Sequence, residues 1–395
     1  MVMTKTLASL TGRPAHAAAR RGPALVLWAL GAWLAAGPAQ AQEFKVSGFA
    51  SAVAVKTSGG CQPTLLAPAF QNNCTRYIVD WAHAAVATDK WGLNRESRAG
   101  VQGEWQLDPQ WSAVAQITAR TLQDQHVKLE WAYVTYAPTP EWKLQVGRKR
   151  IPLYYYSDFQ DVGFAYNTVR PSPDVYGWDV VNYNGASIST NRSLGDWHLR
   201  AEAYAGTEDS RKNPYSRLGS TDPVDVKWSG ITGAAVEFGR DWFTGRLSYT
   251  RSNYESRDHA SGSLQALLDG STRAKQEFLG LALNGDWDDW QLRSEFGTAK
   301  RMKALGYNAK YFLLTLSRQF GAFTVTGGAS GYRENSDYPL ASYSPVKLSA
   351  SLLGLRYDVH KGGALKLQFD RVRDTSVQTY TGKATVSTLA YDVVF

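Results

Sequence analysis

The sequence predicts an all-β protein: a 16-stranded antiparallel transmembrane β-barrel with an inward-folded third loop. Three observations carry this. Leu389, Tyr391, Val393 and Phe395 recur at every second position of the last segment, giving a strand with one apolar face. Pairs of alternating segments joined by tight turns repeat from about residue 42 onward. Trp, Tyr and Phe make up 12% of the chain and recur beside those turns, as the interfacial girdles of a barrel require.

A strand running to the last residue suits a closed barrel, whose final strand must pair with its first to leave no open edge. The terminal Tyr391/Val393/Phe395 pattern resembles the C-terminal assembly signal of bacterial outer-membrane proteins.

Residues 1–41 read as a secretory signal peptide. Arg13, Arg20 and Arg21 give a basic start, Ala24 to Ala36 an apolar run, and Ala39-Gln40-Ala41 a small-x-small cleavage site. The competing reading is a membrane anchor, but the 13-residue run is shorter than the ~20 residues that span a bilayer as a helix. Beyond Gln42 no apolar run reaches that length, and mean hydropathy is −0.34. That leaves an exported soluble protein or a barrel, whose lipid-facing and lumen-facing residues alternate and hide the membrane signal.

Without the signal's Lys5, Arg13, Arg20 and Arg21, the 43 basic residues fall to 39 against 35 acidic ones, a net charge of +4. The basic residues are dispersed, which gives no footprint for nucleic acid. Cys61 and Cys74, an even pair in an exported chain, are read as a disulfide tying a loop. No metal site or cofactor is expected.

Seven tight turns are expected at 107–110, 138–141, 192–196, 239–241, 284–286, 318–321 and 359–363, each carrying Gly, Pro, Asn or Asp. Strands leaving them begin with Trp111, Trp142, Trp197, Trp242, Trp290 or Phe323. The seven hairpins, with 44–55 at the start and 384–395 at the end, give 16 strands and place both termini on the short-turn side. Long loops are then expected near 56–96, 121–127, 151–182, 206–227, 255–275, 301–308, 334–345 and 374–381.

Phase assigns the faces. Leu199, Ala201 and Ala203 oppose His198, Arg200 and Glu202; Leu247 and Tyr249 oppose Arg246; Trp290, Leu292 and Phe296 oppose Gln291, Arg293 and Glu295. A charge facing lipid near the midplane costs ~2–4 kcal/mol, so the polar faces must line a wet lumen. Segments 310–316 and 346–355 are apolar on both faces and need a partner, either an inward loop or a neighbouring subunit.

Loop three, about 151–182, holds six Tyr or Phe residues between Tyr154 and Tyr166 and needs a surface to pack on; the inner wall is the nearest. With Gly147-Arg148 just before this loop, the strand count and the C-terminal pattern, the chain resembles the 16-stranded Gram-negative general porins over most of its length. The resemblance implies a homotrimer in the outer membrane, in contact with lipid and lipopolysaccharide and folded by the barrel-assembly machinery. It also implies a constriction where loop carboxylates face an arginine wall. Carried over by residue, the constriction would use Arg148, Lys149, Arg150, Asp158, Asp161, Arg170 and Asp174. Arg98, Arg120, Arg200, Arg246 and Arg293 would stand on the lumen wall. Leu144 and Val146 set a phase that turns Arg148 toward lipid and Lys149 inward, unless a bulge at Gly147 resets it; either residue can be the wall residue.

The expected function is passive diffusion of small hydrophilic solutes and ions. A channel selective for sugars or small anions is the alternative, because the tyrosines and arginines of loop three could form a track for either. An outer-membrane enzyme is more distant: there is no Gly-x-Ser-x-Gly and no His-x-x-x-His pair.

Overall fold

The computed structural model describes residues 43–59, 76–122, 127–379 and 381–395. The signal peptide expected over 1–41 and the Cys61–Cys74 pair lie outside these residues.

In chain order the strands are β1 (Glu43–Gly59), β2 (Arg76–Asp80), β3 (Ala85–Thr88), β4 (Arg98–Gln106), β5 (Trp111–Arg120) and β6 (Val127–Thr139). Then come β7 (Trp142–Arg150), β8 (Asn182–Leu194), β9 (Trp197–Ser210), β10 (Val224–Arg240), β11 (Phe243–Asp258) and β12 (Ala274–Trp287). The last six are β13 (Trp290–Arg301), β14 (Tyr307–Phe320), β15 (Phe323–Asn335), β16 (Lys347–His360), β17 (Gly363–Asp374) and β18 (Lys383–Val394). β1 and β4 to β18 form one closed antiparallel barrel, each strand paired to its sequence neighbour and β18 to β1. The 16-strand expectation therefore holds.

Closure reaches the final residue. Gly48 N–H donates to the Phe395 carbonyl at 2.8 Å, and Phe395 N–H donates back at 3.0 Å. A Cβ on Gly48 would sit 2.4 Å from the Phe395 ring, so this glycine makes the space in which the terminal aromatic lies. Tyr391 and Phe395 are both exposed on the apolar face.

That face is continuous around the barrel. Val101, Leu144, Val146, Ile188, Leu247, Phe296, Phe312, Leu314, Leu316, Leu353 and Leu389 are all exposed, as lipid-facing residues are in a single chain. The alternate positions are buried or polar. Arg246, Ser248 and Thr250 on β11, and Lys366, Gln368 and Asp370 on β17, are all buried.

Six of the seven expected turns fall in place. The seventh does not: Asn284-Gly285-Asp286 lies inside β12, and the turn is Asp288-Asp289. Asp288 takes the left-handed conformation (φ 48°) that such a turn needs. Gly285 serves packing instead, since a Cβ there would meet the Trp287 ring at 2.9 Å.

The first long loop, expected near 56–96, contains the hairpin β2–β3. Both of its faces are buried. Ile78, Trp81, Ala84 and Val86 pack on Leu218, Val346 and Leu348; Tyr77, Val79, Ala85 and Ala87 pack on Val55, Val372 and Val386. The strands apolar on both faces thus find their partners. Leu348 on β16 meets the hairpin, and Tyr311 and Leu313 on β14 meet loop three.

Candidate functional site

Loop three, 151–181, makes its hydrogen bonds to the buried face of the barrel strands. At its start, Ser248 Oγ donates to the Leu153 carbonyl at 2.7 Å. Glu295 accepts from Tyr155 N–H at 2.9 Å and from the Tyr176 hydroxyl. Most of the aromatic content that made this loop conspicuous packs inward, although Phe159 stays exposed. Tyr154 stacks on Tyr176 at 4.3 Å and meets Phe278 and Tyr311 edge-on at 5.2 and 5.6 Å.

The middle of the loop is held by cations on its carbonyls. Lys366 Nζ donates to the Gly163 carbonyl at 2.6 Å and to that of Thr168 at 3.0 Å. Arg356 donates to the Phe164 and Tyr166 carbonyls at 2.8 and 2.9 Å. Val169 N–H donates to Gln368 Oε1 at 2.8 Å. Loop backbone that has no ladder of its own is satisfied by the wall, as buried backbone must be.

Asp161 gathers three of the expected arginines. Arg120 Nη2 lies 2.6 Å from its carboxylate, Arg150 also bonds it, and Arg98 Nε donates to its carbonyl at 2.7 Å. Glu130 also pairs with Arg120 and Arg150, at 3.2 and 3.3 Å. Burial pushes the Asp161 carboxyl up, but Arg120, Arg150 and Arg98 outweigh it and hold the group well below the usual carboxylate range. Arg170 is consumed in the same way, at 2.9 Å from Glu96 and 3.4 Å from Asp370.

The later part of the loop docks on β2–β3 and the wall. Asp174 accepts from Tyr77 Oη at 3.3 Å and Ser330 Oγ at 3.2 Å. Burial raises its pKa to about 6. Asp179 pairs with Arg301 at 2.9 Å and accepts from Trp228 Nε1 at 3.1 Å; the Arg301 guanidinium sits 4.6 Å from the Trp178 ring.

The phase of Arg148 and Lys149 follows from the strand register at Gly147. Its φ is 140° and a Cβ would meet the Ala132 carbonyl at 2.2 Å, yet pairing to β6 and β8 runs through it without a register shift. No bulge interrupts the strand there, so the phase set by Leu144 and Val146 continues. Lys149 Nζ is buried against Glu202 at 2.6 Å and Ser187 at 2.8 Å. Arg148 forms a two-pronged pair with Glu208, at 2.8 and 2.9 Å, and does not join the Asp161 cluster.

Arg246 lies 3.8 Å from Glu237, and Arg293 2.8 Å from Asp286. Arg200 and Asp158 differ from the rest. They stand 4.0 Å apart with side chains 54% and 30% exposed, the most solvated pair linking loop three to the wall among the described residues. The sequence reading missed Glu130, Glu208, Lys366, Asp370 and Asp392. Lys366, Gln368 and Asp370 carried a usable signal, because they alternate with Leu365, Leu367 and Phe369.

Solved structures share this architecture. The outer membrane channel DcaP of Acinetobacter baumannii is 13% identical, with a TM-score of 0.59, covering 92% of this chain and 100% of that one. An anion-selective porin from Comamonas acidovorans is 12% identical, with a TM-score of 0.56 and coverage of 90% and 100%. OmpT of Vibrio cholerae in a trimer form is 7% identical, with a TM-score of 0.54 and coverage of 90% and 99%. At such identities the likeness is one of fold. No curated protein sequence matches the chain. The family model of Gram-negative porins matches residues 24–392. The chain belongs to that family, and it is an outer-membrane barrel whose function is passive diffusion through a channel.

Proposed function

We propose that small hydrophilic solutes and ions cross beside loop three, through a constriction whose field is set by Arg200 on the wall and Asp158 on the loop. The observation that carries this is their exposure. Asp161, Arg170 and Asp179 are buried in ion pairs and Asp174 is buried in hydrogen bonds, so they anchor the loop, whereas Arg200 and Asp158 remain solvated and close to each other. Opposed charges of this kind orient polar solutes and set mild ion selectivity. Salt-gradient reversal potentials test the assignment: Arg200→Gln shifts selectivity toward cations and Asp158→Asn toward anions. Unchanged selectivity in both variants would refute it.

A channel selective for sugars or small anions is the second reading. The exposed Phe159 ring, next to Asp158 in sequence, favours it by offering an apolar face beside a charged pair. Current block by one sugar or anion class would support it. The chain acts as a channel and not as an enzyme in either reading.

The trimer form of the V. cholerae protein supports a homotrimer here. Residues 1–41 serve for export, Cys61 and Cys74 pair, and the exposed Tyr391 and Phe395, with Val393, present the strand that the assembly machinery engages. Lipid and lipopolysaccharide cover the apolar face.

A further inference from the structure

We infer that the long-loop side of the barrel holds a binding site for a small organic ammonium ion, built from Glu334 and Asp174 between two pairs of aromatic rings. The cavity is ≈ 70 Å³ and its lining includes Trp81, Asp174, Tyr215, Tyr307, Glu334 and Tyr343. It is several times the ~10–15 Å³ that one water needs. Its walls come from five separate places in the chain: the β2–β3 turn, loop three, the β9–β10 loop, the start of β14, and the stretch from the end of β15 into the start of β16.

The rings form two sets. Trp81 and Tyr215 lie 6.0 Å apart at 30°, and Tyr307 and Tyr343 are stacked 5.6 Å apart at 10°. Glu334 is fixed among them: Tyr332 and Tyr343 hydroxyls donate to its two oxygens at 2.8 Å each, and Val346 N–H donates at 2.7 Å. Asp174 is oriented by Tyr77 and Ser330. Glu334 is 7% exposed and Asp174 3%, and among the described residues neither is in an ion pair. Arg301, which donates to the Tyr307 hydroxyl, is itself paired with Asp179.

Hydrogen bonds satisfy lone pairs, and Arg301, already paired with Asp179, offsets the Glu334 charge only in part; a buried carboxylate without a full counter-charge is unfavourable. A cation in the cavity supplies that charge. Aromatic walls select which cation: π faces attract a weakly hydrated organic ammonium, whereas a small inorganic ion keeps its water. The loop-three Asp158–Arg200 pair plays no part, so the site stands or falls independently of the proposed constriction.

Calorimetric titration of the full chain in detergent with tetramethylammonium chloride tests this, with sodium chloride and glucose as comparison titrants. The expected result is saturable binding of tetramethylammonium alone, weakened about tenfold or more by Glu334→Gln and by Tyr343→Ala, and retained within about threefold by Tyr343→Phe, which keeps the ring. Heat-modified gel mobility identifies folded barrels, and if Glu334→Gln fails to fold the Tyr343 pair carries the comparison. No saturable heat, equal binding of sodium, or affinity unchanged by these variants would overturn the inference. Glucose binding in place of the ammonium would assign the cavity to a neutral carbohydrate and also overturn it. A protein that binds the ammonium but conducts no current would leave this site standing while sinking the channel.

Discussion

Lys366 on β17 stands 2.8 Å from the Asp392 carboxylate on β18, with both side chains only 1% exposed. The same ammonium donates to the Gly163 and Thr168 carbonyls, so one ion pair ties two adjacent strands to the middle of loop three. Lys366→Met leaves Asp392 buried and unpaired. The loss is about 3–5 kcal/mol of stability, read as a lower midpoint in the urea-dependent loss of barrel mobility on gels.

Gly163→Ala tests the fit of the loop on the wall without removing a charge. The added Cβ would lie 2.2 Å from Asp392 Oδ1 and 2.6 Å from Ser51 Oγ. Overpacking of this kind costs about 1–3 kcal/mol. Loop three lifts locally, and single-channel recordings show higher conductance with more frequent transitions than the parent protein.

The Asp161 anchor is predicted to resist acid. Its folded pKa is depressed, so its stabilisation is fully present above the unfolded value of about 3.9 and is lost only as pH falls through a folded value well below that. Loop docking through Arg120 and Arg150 therefore persists at pH 4. Asp161→Asn removes it at every pH, and protection of 157–166 from hydrogen exchange drops accordingly.

Asp174 behaves oppositely. Burial raises its folded pKa to about 6, so its contribution is fully present below about 3.9 and is lost as pH rises through about 6. The contact between loop three and β2–β3 is firmer at pH 5 than at pH 7, by on the order of 2 kcal/mol at most. Hydrogen exchange of 76–88 at the two pH values reads this, and Asp174→Asn removes the difference.

The barrel was legible because its rules are local. Period-two alternation, Gly- and Asp-containing turns and aromatic residues beside them can each be read within ten residues. The Asn284–Asp286 turn failed because its composition is that of a turn while Asp288 supplies the geometry. The β2–β3 hairpin was hidden because a strand buried on both faces, such as Arg76–Asp80, shows no alternation. The site was only half legible. Arg98, Arg120, Arg150 and Asp161 could each be named, but their convergence depends on a loop returning to strands up to 63 residues away in sequence. Nothing local shows that these charges are consumed by one another, or that Lys366 and Asp392 hold the loop between them.

The most direct test of the central claim is single-channel conductance with reversal potential in a planar bilayer, using purified protein under a salt gradient. The account predicts stable ohmic conductance with mild ion preference that shifts in opposite directions in Arg200→Gln and Asp158→Asn. A folded, inserted barrel with no conductance would contradict it.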